Sequence, residues 1–224
     1  MEENQVCKLA YEGNFPQLRV KLEENRDLLT KYDNSQRMPL HWAVSAGHTE
    51  IAEYLLKLGT PVDVRDESNW TPLMIAVSAG RTDIVTLLLG HGAQVNAVNR
   101  TGQCCLHYAA SKDRFQIAEM LVDAGADCTV ADSMGSTPSH RASSKGHIQI
   151  LKLLINQQIN VNSQDSEGST PLHLACEEDR VATGKLLVEH GARLDIQNKE
   201  EKSPLDLACR GMQRSLKHAA SLDR

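Results

Sequence analysis

Apolar and polar positions along this chain recur every 33 residues. The segments Met38-Pro-Leu-His-Trp-Ala, Thr71-Pro-Leu-Met-Ile-Ala, Cys104-Cys-Leu-His-Tyr-Ala, Thr137-Pro-Ser-His-Arg-Ala, Thr170-Pro-Leu-His-Leu-Ala and Ser203-Pro-Leu-Asp-Leu-Ala keep that step without a slip. A threonine whose hydroxyl can accept an orphan backbone N–H, followed by proline, predicts a helix start at Thr71, Thr137 and Thr170. Gly47, Gly80 and Gly146 close that helix, and Asp113 and Asp179 stand in the same place as less comfortable left-handed residues. A second helix follows, with its apolar stripe at Ile51, Ala52, Leu55, Leu56, then Ile84, Val85, Leu88, Leu89, then Ile117, Ala118, Leu121, Val122. Gly59, Gly92, Gly125 and Gly191 end it. The polar stretch Ala93-Gln-Val-Asn-Ala-Val-Asn-Arg-Thr-Gly102 and its counterparts suit a hairpin-like finger.

Helix, helix and finger at this period, opened by Thr-Pro-Leu-His-x-Ala, resembles the ankyrin repeat. The expected fold class is all-α: an ankyrin-repeat solenoid of helix-turn-helix units with hairpin-like fingers, seven repeats forming a single domain over 1–224. The repeats run approximately 1–36, 37–69, 70–102, 103–135, 136–168, 169–201 and 202–224. The first enters through Gln5-Val-Cys-Lys-Leu-Ala and Gly13-Asn14. The first and last are degenerate caps, with polar ends at Glu2-Glu3-Asn4 and Arg210 to Arg224, and a capped stack is expected to be a monomer. Cys104-Cys105 loses the Thr-Pro cap, Ser139 replaces the motif leucine, and Gln158 stands where other repeats have glycine. Gly184 interrupts a helix at a cost of roughly 1 kcal/mol relative to alanine. These departures predict softer fourth to sixth repeats.

Composition narrows the function. The chain is 41% hydrophobic but only 4% aromatic, which suits thin stacked helix pairs. No run approaches the roughly 20 apolar residues of a membrane span, and Met1-Glu-Glu-Asn-Gln has no signal-peptide pattern, so an intracellular protein without a membrane partner is expected. A net charge of -5 argues against a nucleic acid partner. The cysteines Cys7, Cys104, Cys105, Cys128, Cys176 and Cys209 lack metal-ligand spacing and read as small buried thiols, with a redox pair at Cys104-Cys105 the weaker alternative. His41, His107, His140 and His173 recur once per repeat and read as local hydrogen-bonding groups rather than zinc ligands. No catalytic motif is present. The chain reads as a non-enzyme with no cofactor and no metal; a metal- or redox-dependent enzyme is the remote alternative.

Counting from each helix cap, positions +2, +5 and +6 point into the stack, and +4, +7 and +8 form a separate stripe. With the finger residue before each cap, that stripe is expected to line a concave surface on the order of 60 Å long, at roughly 8 to 10 Å per layer. The finger-tip column reads Arg37, Trp70, Gln103, Ser136, Ser169, Lys202. The +4 column reads Trp42, Ile75, Tyr108, Arg141, Leu174. The +7 and +8 columns end in Lys112, Lys145 and Glu177-Glu178. The predicted binding residues are therefore Arg37, Trp42, Trp70, Arg100, Gln103, Tyr108, Lys112, Arg141, Lys145, Glu177 and Glu178. Aromatics beside cations have the composition of an interface hot spot. The expected partner offers acidic groups to the second through fifth repeats and basic ones to the sixth. Reversing Arg37 or Lys112 to glutamate is expected to weaken that complex and leave the fold intact.

Particular stretches carry a narrower resemblance: Leu40-His-Trp-Ala with Ser45-Ala-Gly-His-Thr-Glu-Ile, Gly92-Ala-Gln-Val-Asn-Ala-Val-Asn, Leu106-His-Tyr-Ala-Ala-Ser-Lys, Gly168-Ser-Thr-Pro-Leu-His-Leu-Ala-Cys and Asn198-Lys-Glu-Glu-Lys. In them the chain is similar to the gankyrin family, ankyrin-repeat chaperones of proteasome regulatory-particle assembly. The resemblance implies a non-catalytic scaffold, cytoplasmic and nuclear, that holds the C-terminal domain of one AAA ATPase subunit of the proteasome base. It implies first that Arg37 and Lys112 contact that domain, then Trp42, Trp70, Tyr108, Arg141 and Lys145. Cell-cycle regulators are further possible partners in this family. The alternative is an adaptor or inhibitor of a cell-cycle kinase, a ubiquitin ligase or a retinoblastoma-class pocket protein. Leu174, Cys176 and Glu178 spell the Leu-x-Cys-x-Glu pattern of the last class, but they fall inside a predicted helix with Cys176 facing inward.

Overall fold

In the computed structural model, residues 2–222 are described, with side chains for 5–221. The side chains of Glu2, Glu3 and Asn4, read from sequence as part of a polar cap, lie outside the described set, as do Leu222, Asp223 and Arg224. The described residues form helices and turns without a β-strand. The chain divides into two compact units, Met1–Arg100 and Thr101–Arg224.

The N-terminal unit contains α1 (Glu2–Glu12), α2 (Phe15–Glu24), α3 (Pro39–Ala46), α4 (Thr49–Lys57), α5 (Pro72–Ala79) and α6 (Thr82–Gly90). First helices pack on first helices, α1 on α3 and α3 on α5, while α4 packs on α6. The inward columns are fully buried at Leu40, Ala43, Val44, Leu73, Ala76 and Val77. Each large aliphatic side chain withdrawn in this way contributes roughly 1.5 to 3 kcal/mol. The +4 residue Ile75, expected in the exposed stripe, is 7% exposed. Beside small Ser78 and Ala79, it settles against the stack.

The C-terminal unit contains α7 (Cys105–Ser111), α8 (Phe115–Asp123), α9 (Pro138–Lys145), α10 (Ile148–Asn156), α11 (Pro171–Glu177), α12 (Val181–Glu189), α13 (Pro204–Leu207) and α14 (Arg210–Leu222). Inner helices α7, α9, α11 and α13 pack in sequence, and α14 lies on α12. Gly184 is buried here, and a Cβ on it would stand 2.7 Å from Met212 Cε and 3.0 Å from Leu216 Cδ2. The residue expected to soften α12 therefore leaves room for α14. Cys209 also departs from expectation. Because α13 stops at Leu207, Cys209 falls in the break before α14, exposed, with Sγ 3.2 Å from Asp179 Oδ1. The other five cysteines are buried. Burial pushes the thiol of Cys104 up, that of Cys128 to about 11 and that of Cys176 to about 12, which disfavours the reactive thiolate at each.

Helix starts follow one plan. Thr71 Oγ1 accepts from Met74 N at 3.3 Å, and Thr170 Oγ1 from His173 N at 3.4 Å. In Thr137 the hydroxyl instead meets Ser139 Oγ and His140 Nδ1, each at 2.8 Å. The third helical residue reaches back to the cap N–H, the part glutamate plays in a capping box. His41, His107, His140 and His173 Nδ1 accept from Met38, Cys104, Thr137 and Thr170 N at 3.0 to 3.2 Å, and Asp206 does so for Ser203. An accepting Nδ1 puts the ring hydrogen on Nε2. That N–H then donates to the next finger's carbonyl: His107 to Ser136 O (2.9 Å), His140 to Ser169 O (3.0 Å), His173 to Lys202 O (3.1 Å). The histidines thus cap their own helix and tie it to the next repeat.

Candidate functional site

The fingers that carry the predicted binding residues are built around one side chain that the sequence reading passed over. Asp33, Asp66, Asn99, Asp132, Asp165 and Asn198 recur at the 33-residue step. In the four aspartates and Asn198, Oδ1 accepts two backbone N–H groups, those two and four residues ahead. For Asp66 these are Ser68 N and Trp70 N, both at 2.9 Å. For Asp33 they are Ser35 and Arg37, for Asp132 Met134 and Ser136, for Asp165 Glu167 and Ser169, and for Asn198 Glu200 and Lys202. A backbone bond across the turn, Asp66 N to Trp70 O at 3.0 Å and its equivalents, closes the finger. The periodic Asp/Asn was the signal, and it was legible in the sequence.

A second periodic column was missed too: His48, Arg81, His147 and Arg180 at the starts of the second helices. Their side chains bond carbonyls at the end of the preceding repeat's first helix, His48 to Tyr11 O, Arg81 to Ser45 O, His147 to Ala110 O and Arg180 to Ser144 O. Cationic or N–H donor groups at a helix C-terminus satisfy its last carbonyls and complement its dipole.

In the N-terminal unit, Arg37, Trp42 and Trp70 are half-buried and Arg100 is exposed. The Arg37 guanidinium donates from Nε (3.1 Å) and Nη2 (3.0 Å) to Asp66 Oδ2, whose side chain is 4% exposed, and its Cζ stands 5.2 Å from the Trp42 ring centre. Trp42 Nε1 donates to Asp33 Oδ2 at 2.7 Å, and Tyr11 meets the indole edge-on at 5.6 Å. Arg37, Ser45, Trp70, Ile75, Ser78 and Ala79 line a hollow of about 250 Å³. An adjoining hollow of about 330 Å³ opens between Tyr11, Trp42 and Asp33 to Ser35. The finger-tip, +4, +7 and +8 columns meet in the first of these; Arg100 lines neither.

Arg37 is therefore not a free cation. An arginine bonded to a nearly buried carboxylate is a fixed part of the surface, and removing it leaves the Asp66 charge with only its two backbone N–H bonds in a nearly buried site. The expectation that reversing Arg37 leaves the fold intact is corrected on that ground.

In the C-terminal unit, Gln103, Tyr108 and Arg141 are half-buried, and Lys112, Lys145, Glu177 and Glu178 are exposed. Tyr108 donates its hydroxyl to Gln103 Oε1 at 2.7 Å. Arg141 Nη2 donates to Asp132 Oδ2 at 2.6 Å; burial raises the Asp132 pKa, but the bonds from Arg141, Met134 N and Ser136 N outweigh it and hold the carboxyl below its ordinary range. Ser111, Met134, Ser136, Arg141, Lys145 and Leu174 are among the residues lining a hollow of about 350 Å³. Lys112 stands at the end of α7 outside it, and Glu178 faces Arg180 at 3.8 Å. Met134, 55% exposed, was not anticipated: its finger position gave no apolar periodicity to flag it. Leu174, Cys176 and Glu178 sit on α11 and its cap, with Cys176 2% exposed. Among the described residues, no group of three His, Cys, Asp or Glu side chains is placed to hold a metal ion.

These surfaces are open hollows of mixed polar and apolar lining on a stack of helix pairs. A family model described as ankyrin repeats (3 copies) matches residues 6–99, 59–132, 91–165 and 139–219. The crystal structure of the ankyrin repeat domain of Bcl-3, a member of the IkappaB protein family, superposes with a TM-score of 0.82 at 24% identity, covering 95% of this chain and 97% of that one. That likeness is one of fold. Among curated proteins, the 26S proteasome non-ATPase regulatory subunit 10 of Homo sapiens is 51% identical over 65 residues, and that of Mus musculus 49% over the same length. The matched stretch spans 29% of this chain and 28 to 29% of the length of each relative.

Proposed function

The chain belongs to the ankyrin-repeat family, and on that premise we propose that it is an assembly chaperone of the proteasome regulatory particle. Its general character is that of a non-catalytic ankyrin-repeat scaffold related to a proteasome regulatory subunit. The partner is the C-terminal domain of one AAA ATPase subunit of the base, held while the base is built, in cytoplasm and nucleus. The observation that carries this is the 65-residue stretch at about half identity to the proteasome non-ATPase regulatory subunit 10.

The site supports the same reading. Arg37 and Trp70 line one hollow, and Arg141 and Lys145 another, each a place where a carboxylate can bond a cation beside apolar surface. Exposed Lys112 adds a steering charge, and Glu177 and Glu178 favour a basic region of the partner. Capture of the chain from a cell extract, followed by mass spectrometry, should return proteasome base ATPases. Calorimetry should then show saturable binding of the isolated C-terminal domain, weakened about tenfold or more by Lys112→Glu. A capture returning a kinase or a ubiquitin ligase without base ATPases would replace the proposal with the adaptor reading.

A further inference from the structure

The finger carboxylates carry more than the turn they close. In each finger Oδ1 is spent on two backbone N–H groups, which leaves Oδ2 to face the binding surface. There it meets a predicted binding residue three times: Asp33 Oδ2 holds Trp42 Nε1, Asp66 Oδ2 holds Arg37 Nε and Nη2, and Asp132 Oδ2 holds Arg141 Nη2. Two of these reach nine residues ahead, and one reaches back 29 residues to the preceding finger tip. The chain supplies its own control. Asn198 closes its finger with the same pair of Oδ1 bonds but has Leu207 nine residues ahead and Ser169 29 behind, neither of which presents a cation or an indole. Finger closure by itself is satisfied by asparagine; three of the four finger aspartates, Asp33, Asp66 and Asp132, use the second oxygen to hold a predicted binding side chain.

We propose that Asp33, Asp66 and Asp132 are positioning residues for partner recognition, each fixing one binding side chain through Oδ2 while its Oδ1 folds the finger. They need not touch the partner. Each carboxylate removes rotamer freedom from a long or bulky side chain before binding, a cost that association would otherwise bear. Asp66 and the Trp42 ring also orient the Arg37 guanidinium from two directions, so a partner carboxylate meets it with its donors already directed.

Asparagine is the discriminating substitution. Two backbone N–H groups require the amide oxygen at Oδ1, so the NH2 must take the Oδ2 place, where a donor faces a donor. The finger closes and the groove contact is lost. The proposal rests on the chaperone reading only for its binding arm, and a first arm is independent of any partner. In the free protein, nuclear magnetic resonance should show the Trp42 Nε1–H exchanging with water about tenfold or more faster in Asp33→Asn, and the Arg37 Nε–H likewise in Asp66→Asn, with the amide spectrum of the fingers retained. Unchanged exchange at both sites overturns the proposal.

In the second arm, calorimetry with the ATPase C-terminal domain should show Asp66→Asn weakening binding about tenfold in the wild-type background and having no further effect in Arg37→Gln; Asp132→Asn and Arg141→Gln should couple the same way. Additive losses in both cycles would mean that the carboxylates act on the partner or the fold directly, and would overturn it. If the unaltered protein fails to bind the domain at all, the chaperone reading falls, and the exchange measurement still decides the positioning role.

Discussion

The two compact units are made of the same repeat but are tied together by different chemistry. In the unit Thr101–Arg224, buried histidines link successive repeats through His107, His140 and His173, each bonded at both ring nitrogens. In the unit Met1–Arg100 the same position offers only His41, whose ring faces the backbone of Trp70 and Val64 but whose buried Nε2 completes no hydrogen bond, and Met74, which has none to offer. There the tie runs along the surface instead, through Arg37 to Asp66, with Trp42 and Tyr11 beside it. In one unit the histidine links between repeats are buried, and its exposed predicted binding residues can be changed without breaking them. In the other, Arg37 and Trp42 are structural as well as predicted binding residues, and substituting either is not purely a test of binding.

Acid should separate the units most strongly. Burial lowers the pKa of His41 to about 4 and lowers those of His107, His140 and His173, so all four stay neutral in the fold. Their unfolded value is near 6.5. Between that value and the folded ones the unfolded chain binds more protons, so stability is full above about pH 6.5 and falls as pH drops toward the folded pKa values. From His41 alone the loss at pH 5 is about 2 kcal/mol, and the three others add to it in the C-terminal unit. Hydrogen exchange at pH 7.5 and 5 should show the loss of protection spread over α7, α9 and α11 in the C-terminal unit and confined to α3 in the N-terminal unit, where α5 carries no histidine. Equal losses in α3 and α5 would break the contrast.

Removing a rung is the next largest effect. His140→Ala deletes both ring bonds and strands the Thr137 N–H and the Ser169 carbonyl, for a cost of about 3 kcal/mol. His41→Ala loses only the bond from Met38 N and should cost about 1 kcal/mol less. Urea unfolding of the two variants measures the difference. A greater cost at position 41 would mean that the N-terminal ladder is intact after all.

Charge reversal tests the other half of the contrast. Arg37→Glu sets a second carboxylate against Asp66 and should destabilise the N-terminal unit by about 2 to 3 kcal/mol. Lys112→Glu changes an exposed side chain at a helix end and should stay within about 0.5 kcal/mol. Thermal melts of both suffice. Only the second variant can report on binding without a correction for folding.

The fold was legible because it depends on spacing. A cap, a proline, two apolar stripes and a closing glycine at a fixed step specify each helix pair locally, and even Asp113 and Asp179 take the left-handed backbone foreseen for them, at φ 53° and 52°. What escaped reading depends on contacts between residues far apart in sequence. Nothing local marks Gly184 as lying under Met212, or Cys209 as falling in the break after a short α13. For the binding columns the sequence indicated residue type and register, but not that Arg37, Trp42 and Arg141 have their polar groups already engaged by finger carboxylates. Those aspartates were overlooked because a turn former explains itself, and one oxygen of each does serve the turn.

The fingers themselves give the finest comparison. At the left-handed turn residue before each tip the C-terminal unit has Gly102, Gly135 and Gly168, with Glu201 at φ 59° only in its last finger, whereas the N-terminal unit has Gln36 and Asn69 at φ 53° and 61°. The glycines are needed for closeness as much as for φ. A Cβ on Gly135 would stand 2.9 Å from Ser166 N and 3.1 Å from the Asp165 backbone, where Ser166 N donates to Met134 O at 2.8 Å. Gly135→Ala should therefore cost about 1 to 2 kcal/mol, combining the strain of a positive φ with a displaced finger-to-finger bond. Asn69 already carries a Cβ in that conformation, and Asn69→Gly should change stability by no more than about 0.5 kcal/mol. Should the two prove equal in urea unfolding, the fingers of the two units would be held alike, and the difference between the units would reduce to their histidines.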